Sequence, residues 1–98
     1  MLIKIHRSYR DVVAICDKEL LGKIFEEEKF QLDIKESFYN GEEVDEKTAV
    51  RIIKDMSRED ATFNIVGKKS INTALKTGII KKEGISTIAG IPFALVLL

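Results

Sequence analysis

Apolar and polar residues alternate over residues 2–7, with Ile3 and Ile5 on one face and Lys4 and His6 on the other. A period of two predicts a strand with one wet face. Residues 12–16, VVAIC, are apolar without a break. They predict a central strand covered on both faces. Ser8, Tyr9, Arg10 and Asp11 between the two are polar and turn-like, so the pair reads as an antiparallel hairpin. A turn at 8–11 sets Cys16 opposite Ile3 and His6 opposite Val13.

Beyond the hairpin, Asp17 is expected to accept backbone N–H bonds in the next turn, and Gly22 to supply a positive φ there. Leu20 and Leu21 are expected to tuck beneath the hairpin, followed by a short strand at residues 23–25 and a solvated run, Glu26, Glu27 and Glu28. Phe30, Leu32 and Ile34 then alternate with Lys29, Gln31, Asp33 and Lys35, the clearest strand pattern in the chain. Phe38, Tyr39, Asn40 and Gly41 read as a turn.

The period then changes. Ala49, Ile52, Ile53 and Met56 fall at i, i+3, i+4 and i+7, which predicts a helix over 46–57 with Asp45 as its N-cap. Residues 63–66 predict a strand, and 68–77 a second helix with Ile71, Ala74 and Leu75 buried and Gly78 just past its end. Residues 85–89 and 92–98 predict two closing strands. The expected architecture is one compact α+β domain over 1–98, mostly antiparallel strands with two helices.

Composition narrows the function classes. A 98-residue chain is long enough for one core, burying roughly 60–65% of its unfolded surface. One cysteine excludes an internal disulfide and suits a reducing compartment. The first residues lack the apolar run of a signal peptide. The longest apolar stretch, 91–98, falls far short of the ~20 residues a membrane span needs. A soluble, cytoplasmic protein is expected, with no membrane partner. Sixteen basic and sixteen acidic residues cancel. The charge is nonetheless segregated: net +2 over 1–23, −6 over 24–60 and +4 over 61–98.

No catalytic residue, metal site or cofactor is expected. In the hairpin pairing above, Cys16 and His6 lie about 10 Å apart along the strands, while a nucleophile and its base need ~3.2 Å. One histidine and one cysteine do not make a zinc tetrahedron. Gly67, Lys68, Lys69 and Ser70 open a helix after a strand, but Thr62 stands where a phosphate-binding loop needs its first glycine. That helix start could still attract an anion, because two lysines in a first turn oppose the helix dipole. Lys47, Arg51, Lys54 and Arg58 recur along the first helix opposite its apolar stripe. They either track a phosphate backbone or form a solvated face in which Arg51 pairs with Asp55. Tyr9 and Tyr39 would add stacking surfaces if exposed nearby. The apolar stretch 91–98 needs cover, either inside the sheet or at a homodimer seam.

The segments CDKELLGKIF, FYNGEEVDE, ATFNIVGKKSINTALKTGII and STIAGIPFALV resemble, in order and over almost the whole chain, the archaeal domain of unknown function 424 family. The matching positions are Cys16, Asp17, Leu20, Leu21, Gly22, Lys23, Phe38, Tyr39, Gly41, Asn64 and Gly67. The resemblance implies an archaeal origin, a mixed α and β fold and an association with translation genes, but no assigned activity. Relatives tend to carry a histidine after the proline of the last strand, where this chain has Phe93. A role resting on that histidine is therefore not carried over.

Three functional readings follow. The first is a non-enzymatic module that binds RNA or the ribosome in translation or RNA metabolism, with Lys23, Lys47, Arg51, Lys54, Arg58, Lys68, Lys69 and Lys76 contacting phosphate. The second is a small enzyme or ligand-binding protein with a pocket between the 16–23 and 38–41 turns, using Asp17, Lys23, Tyr39 and Asn64. The third is a homodimer built on the C-terminal strand.

Overall fold

The unbroken apolar strand at 12–16 sets the layering, because both of its faces must be covered. The computed structural model describes residues 1–97. Its strands are β1 (Leu2–His6), β2 (Val12–Cys16), β3 (Ile24–Glu27), β4 (Phe30–Asp33), β5 (Glu42–Glu43), β6 (Thr62–Val66), β7 (Ser86–Ile88) and β8 (Ile91–Val96). Its helices are α1 (Glu36–Tyr39), α2 (Glu46–Arg58) and α3 (Lys68–Thr77). Six strands form one sheet in the order β5-β1-β2-β6-β8-β7, and β3 and β4 form a separate hairpin. All pairings are antiparallel except β2 with β6. The fold is α+β, as the alternation of periods predicts.

Successive residues of a strand point to opposite faces, and β2 uses both. Val13 and Ile15 join Ile3, Phe63, Ile65 and Ala94 on one face, under Ala49, Ile53 and Met56 of α2 and Ile71 and Ala74 of α3. Ala14 and Cys16 join Leu2 and Val66 on the other, under Leu20, Ile34 and Tyr39. The result is three layers: two helices, the sheet, and a thinner layer made by a 3-10 turn, the β3–β4 hairpin and α1. Phe63 and Ile65 are buried completely or nearly so. Each such side chain contributes about 1.5–3 kcal/mol of transfer free energy.

Five local expectations are corrected. The hairpin register is one residue off: Cys16 pairs with Leu2 and His6 with Val12. The supposedly wet face of β1 carries α1. Lys4 Nζ donates to the Ser37 carbonyl at 2.9 Å, and the His6 ring stacks on Phe38 with centroids 4.6 Å apart. A polar side chain on that face is therefore a partner for the carbonyls of a covering helix. The 38–41 turn begins as the last part of this one-turn helix. The Phe30, Leu32 and Ile34 face is real but graded, from Ile34 fully buried to Phe30 at 64% exposure, because the hairpin overhangs the sheet. Of the predicted strand 92–98, β8 contains residues 92–96, and Leu98 lies outside the described residues.

Two glycines make close approaches possible. A Cβ on Gly41 would lie 2.0 Å from the Ile3 carbonyl oxygen, so the chain runs hard against the β1 backbone there as it enters β5. Gly67 combines a φ of +107° with a second crowding partner, described below.

Candidate nucleic-acid interface

Helix α2 presents the most ordered cationic surface. Its start is set locally: the Asp45 carboxylate accepts from the Thr48 N–H at 2.8 Å. That bond, reinforced by the charges of Lys47 and Arg51, holds the Asp45 carboxyl below its ordinary range. With Ala49, Ile53 and Met56 buried, the opposite side is left to Lys47, Arg51, Lys54 and Arg58, all exposed. At ~1.5 Å per residue the row is about 16 Å long. Arg58 pairs with Asp55 at 3.0 Å. The alternative Arg51–Asp55 pairing does not form, and Lys47, Arg51 and Lys54 have no ion pair among the described residues.

The lysines of α3 do not extend this row. Lys76 pairs with Glu46 at the acidic start of α2. Lys69 and Lys76 border a depression of about 290 Å³ that also holds Asp45 and Glu46. Carboxylates thus stand between the two sets of cations. Lys23 is farther still. Its backbone bonds to Leu20 and Ile34 place it in the thin layer, on the opposite face of the sheet from α2.

The start of α3 attracts an anion, and the chain itself supplies it. Asp17 follows β2, and its carboxylate accepts from the Lys69 N–H at 3.1 Å and from the Ser70 N–H and hydroxyl at 2.8 Å each. Asp17 is 4% exposed. A Cβ on Gly67 would lie 2.4 Å from the Asp17 carboxyl carbon, so the carboxylate fills the space beside the bare glycine. The two first-turn lysines thus have their counter-charge inside the fold. The expected role of Asp17, accepting N–H bonds in its own following turn, is replaced by this contact 52 residues away.

The four groups of the predicted pocket do not converge. Asp17 faces α3. Tyr39 is buried on the other side of the sheet near Cys16, and burial, aided by Cys16, pushes its phenol up to about 12. Burial and the Asp17 charge push the Cys16 thiol up to about 11. Asn64 sits mid-sheet between Ala14 and Leu95, and Lys23 is exposed. The depression lined by Asp17, about 260 Å³, is bordered by Glu19, Leu20, Gly67, Lys68, Lys69, Ile91 and Pro92 and includes none of the other three.

Of the two tyrosines named as stacking candidates, Tyr39 is ruled out by burial and Tyr9 stands wholly in solvent. Arg7 and Asp11, each two positions from Tyr9 in the chain, border the same depression of about 490 Å³ as Arg58 at the end of α2. The sequence pattern marks the 8–11 turn but not its place beside α2. Nor does the pattern mark Ser70 and Thr73 of α3, which are buried. A polar residue at a helix start is the only signal that could have found Ser70, and it does not name the partner.

Among the described residues, no group of three or more His, Cys, Asp or Glu side chains could hold a metal, and no helix is long and apolar enough to cross a membrane. The profile of the family described as "Protein of unknown function (DUF424)" matches residues 6–98. A crystal structure of an uncharacterised conserved protein from Methanopyrus kandleri is similar at a TM-score of 0.86 and 25% identity, over 98% of this chain and 90% of that one. No curated protein matches the chain.

Proposed function

The chain belongs to the DUF424 family, and from that premise we propose that it is a non-enzymatic module that binds structured RNA or the ribosome, in translation or RNA metabolism. The observation that carries the reading is the solvent face of α2. Four cations share one side of a rigid helix, and three have no ion pair among the described residues. Lys47, Arg51 and Lys54 can meet successive phosphates without first breaking an ion pair, and Arg58 can do so by exchanging its exposed partner Asp55 for one. The phosphate-contacting set is Lys47, Arg51, Lys54 and Arg58. Lys23, Lys68, Lys69 and Lys76 lie outside it.

The test is binding of the full chain to ribosomal subunits and to a structured RNA hairpin across a salt series. Four phosphate contacts predict an affinity loss of roughly 50- to 150-fold between about 50 and 200 mM salt. Reversing Arg51 and Lys54 to Glu together is expected to weaken binding and flatten the salt slope by about two contacts. No binding at the lowest salt, or salt-independent binding, refutes the reading.

A homodimer is supported by a separate observation. β7 pairs with β8 only at Ile91, Pro92 and Phe93, and beyond that edge Leu95 and Leu97 are 58% and 72% exposed. An apolar strand with one open edge invites a second copy. A monomeric mass in solution at high protein concentration counts against it.

A further inference from the structure

The loop joining β1 to β2 holds an aromatic ring out in water. Tyr9 is fully exposed, although an aromatic side chain gains more from burial than almost any other. The loop around it is braced. The Ser8 N–H donates to Asp11 Oδ1 at 3.2 Å, Arg7 pairs with Asp11 at 2.9 Å, and the Ser8 hydroxyl donates to the Arg10 carbonyl. A braced turn loses little further freedom when its tip meets a ligand.

The location gives the ring a context. Arg7 and Arg58 border one depression together with Asp11, Asp55 and Glu59. Two ion pairs, Arg7–Asp11 and Arg58–Asp55, neutralise much of the charge there. What this end of the row offers a ligand is therefore a π-face more than a net charge. Farther along α2, the unpaired Lys47, Arg51 and Lys54 offer charge without an aromatic group.

We propose that Tyr9 is a stacking platform for an unpaired RNA base, placed at the end of the phosphate-tracking row of α2. The proposal rests on the RNA reading above and adds the ligand class, a duplex bordered by an unstacked nucleotide. Bases that leave the helical stack are the usual targets of exposed aromatic side chains. Stacking is nearly independent of salt, whereas phosphate contacts are not, so the two parts of the site separate experimentally.

The experiment compares two RNAs with the same stem, one fully paired and one with a single-stranded extension. Tyr9→Ala is expected to reduce affinity for the extended RNA roughly five- to 150-fold. Its affinity for the paired stem and its salt slope should stay at wild-type values. Tyr9→Phe and Tyr9→Trp should retain the preference. The chain has no tryptophan, so Tyr9→Trp supplies a single tryptophan, excited apart from Tyr39, whose emission the extended RNA should quench and the paired stem should not. An exposed side chain keeps these variants folded. If wild-type protein binds both RNAs equally, or Tyr9→Ala changes neither affinity or both alike, the stacking role is overturned while the RNA reading stands. If wild-type protein binds neither RNA, both fall.

Discussion

Two helices of this protein begin with an aspartate in the capping position, and the two aspartates come from different distances. Asp45 caps α2 from the residue just before it, in water, with one backbone bond to Thr48. Asp17 caps α3 from the end of β2, buried, with two backbone bonds and one hydroxyl bond. The first contact stabilises a helix. The second also holds the parallel β2–β6 pair against the helix that follows β6, since the Asp17 N–H donates to the Val66 carbonyl. Water satisfies the helix start when an exposed cap is lost, but it does not reach a buried one. The difference also decides where an outside anion could bind. At α3 the favourable position is already taken by a carboxylate that the fold cannot release without leaving the buried Ser70 N–H and hydroxyl unpaired.

The largest effect is expected from breaking the buried cap sterically. Gly67→Ala would place a Cβ 2.4 Å from the Asp17 carboxyl carbon at a φ of +107°. Strain and displacement of the carboxylate together should cost about 2–5 kcal/mol, measured by urea unfolding. A loss below about 1 kcal/mol would mean that the contact yields, and that the two caps differ less than their geometry implies.

Next comes Asp17→Ala, expected to cost about 2–4 kcal/mol, because charge-assisted bonds to buried groups are lost with nothing to replace them. Combined with Gly67→Ala it should cost less than the sum, since the carboxyl that the new methyl meets is gone. The Asp17→Ala variant should also gain more stability from added sulfate than the wild type does. An equal response of the two proteins would show that the position at α3 is not an anion position at all.

The smallest effect belongs to Asp45→Ala, a small fraction of the Asp17 loss. Because the folded carboxyl titrates below its ordinary value of 3.8, its contribution is present above that pH and disappears as pH falls through the lower folded value. Wild type and Asp45→Ala should therefore differ at neutral pH and converge in acid when their unfolding curves are compared. A gap that widens in acid would reverse the assigned sign.

How much was legible follows the same division. Asp45 was readable as a cap because an aspartate just before an apolar 3.6-residue period has one evident use. Ala49, Ile53 and Met56 were readable as core for the same reason, as were the bounds of α3 at Lys68–Thr77. Asp17 looks like a turn residue in the sequence because its partners, Lys69 and Ser70, lie more than 50 positions away. The basic row on α2 was visible, but not that Lys76 is committed to Glu46 or that Lys23 faces away from it. Tyr9 and Tyr39 look alike in the chain, yet only Tyr9 is in water.

By itself the sequence determined the two long helices, most of the strands and the solvent side of α2, but not the short α1 and β5, because the former depend on residues within a few positions of one another. The tertiary structure alone decided which carboxylate sits at the start of α3, which face of β1 is covered, how deep Phe30 lies and which cations share a surface. These depend on segments that meet only when the sheet assembles, where burial turns a polar residue from a surface feature into an obligatory partner.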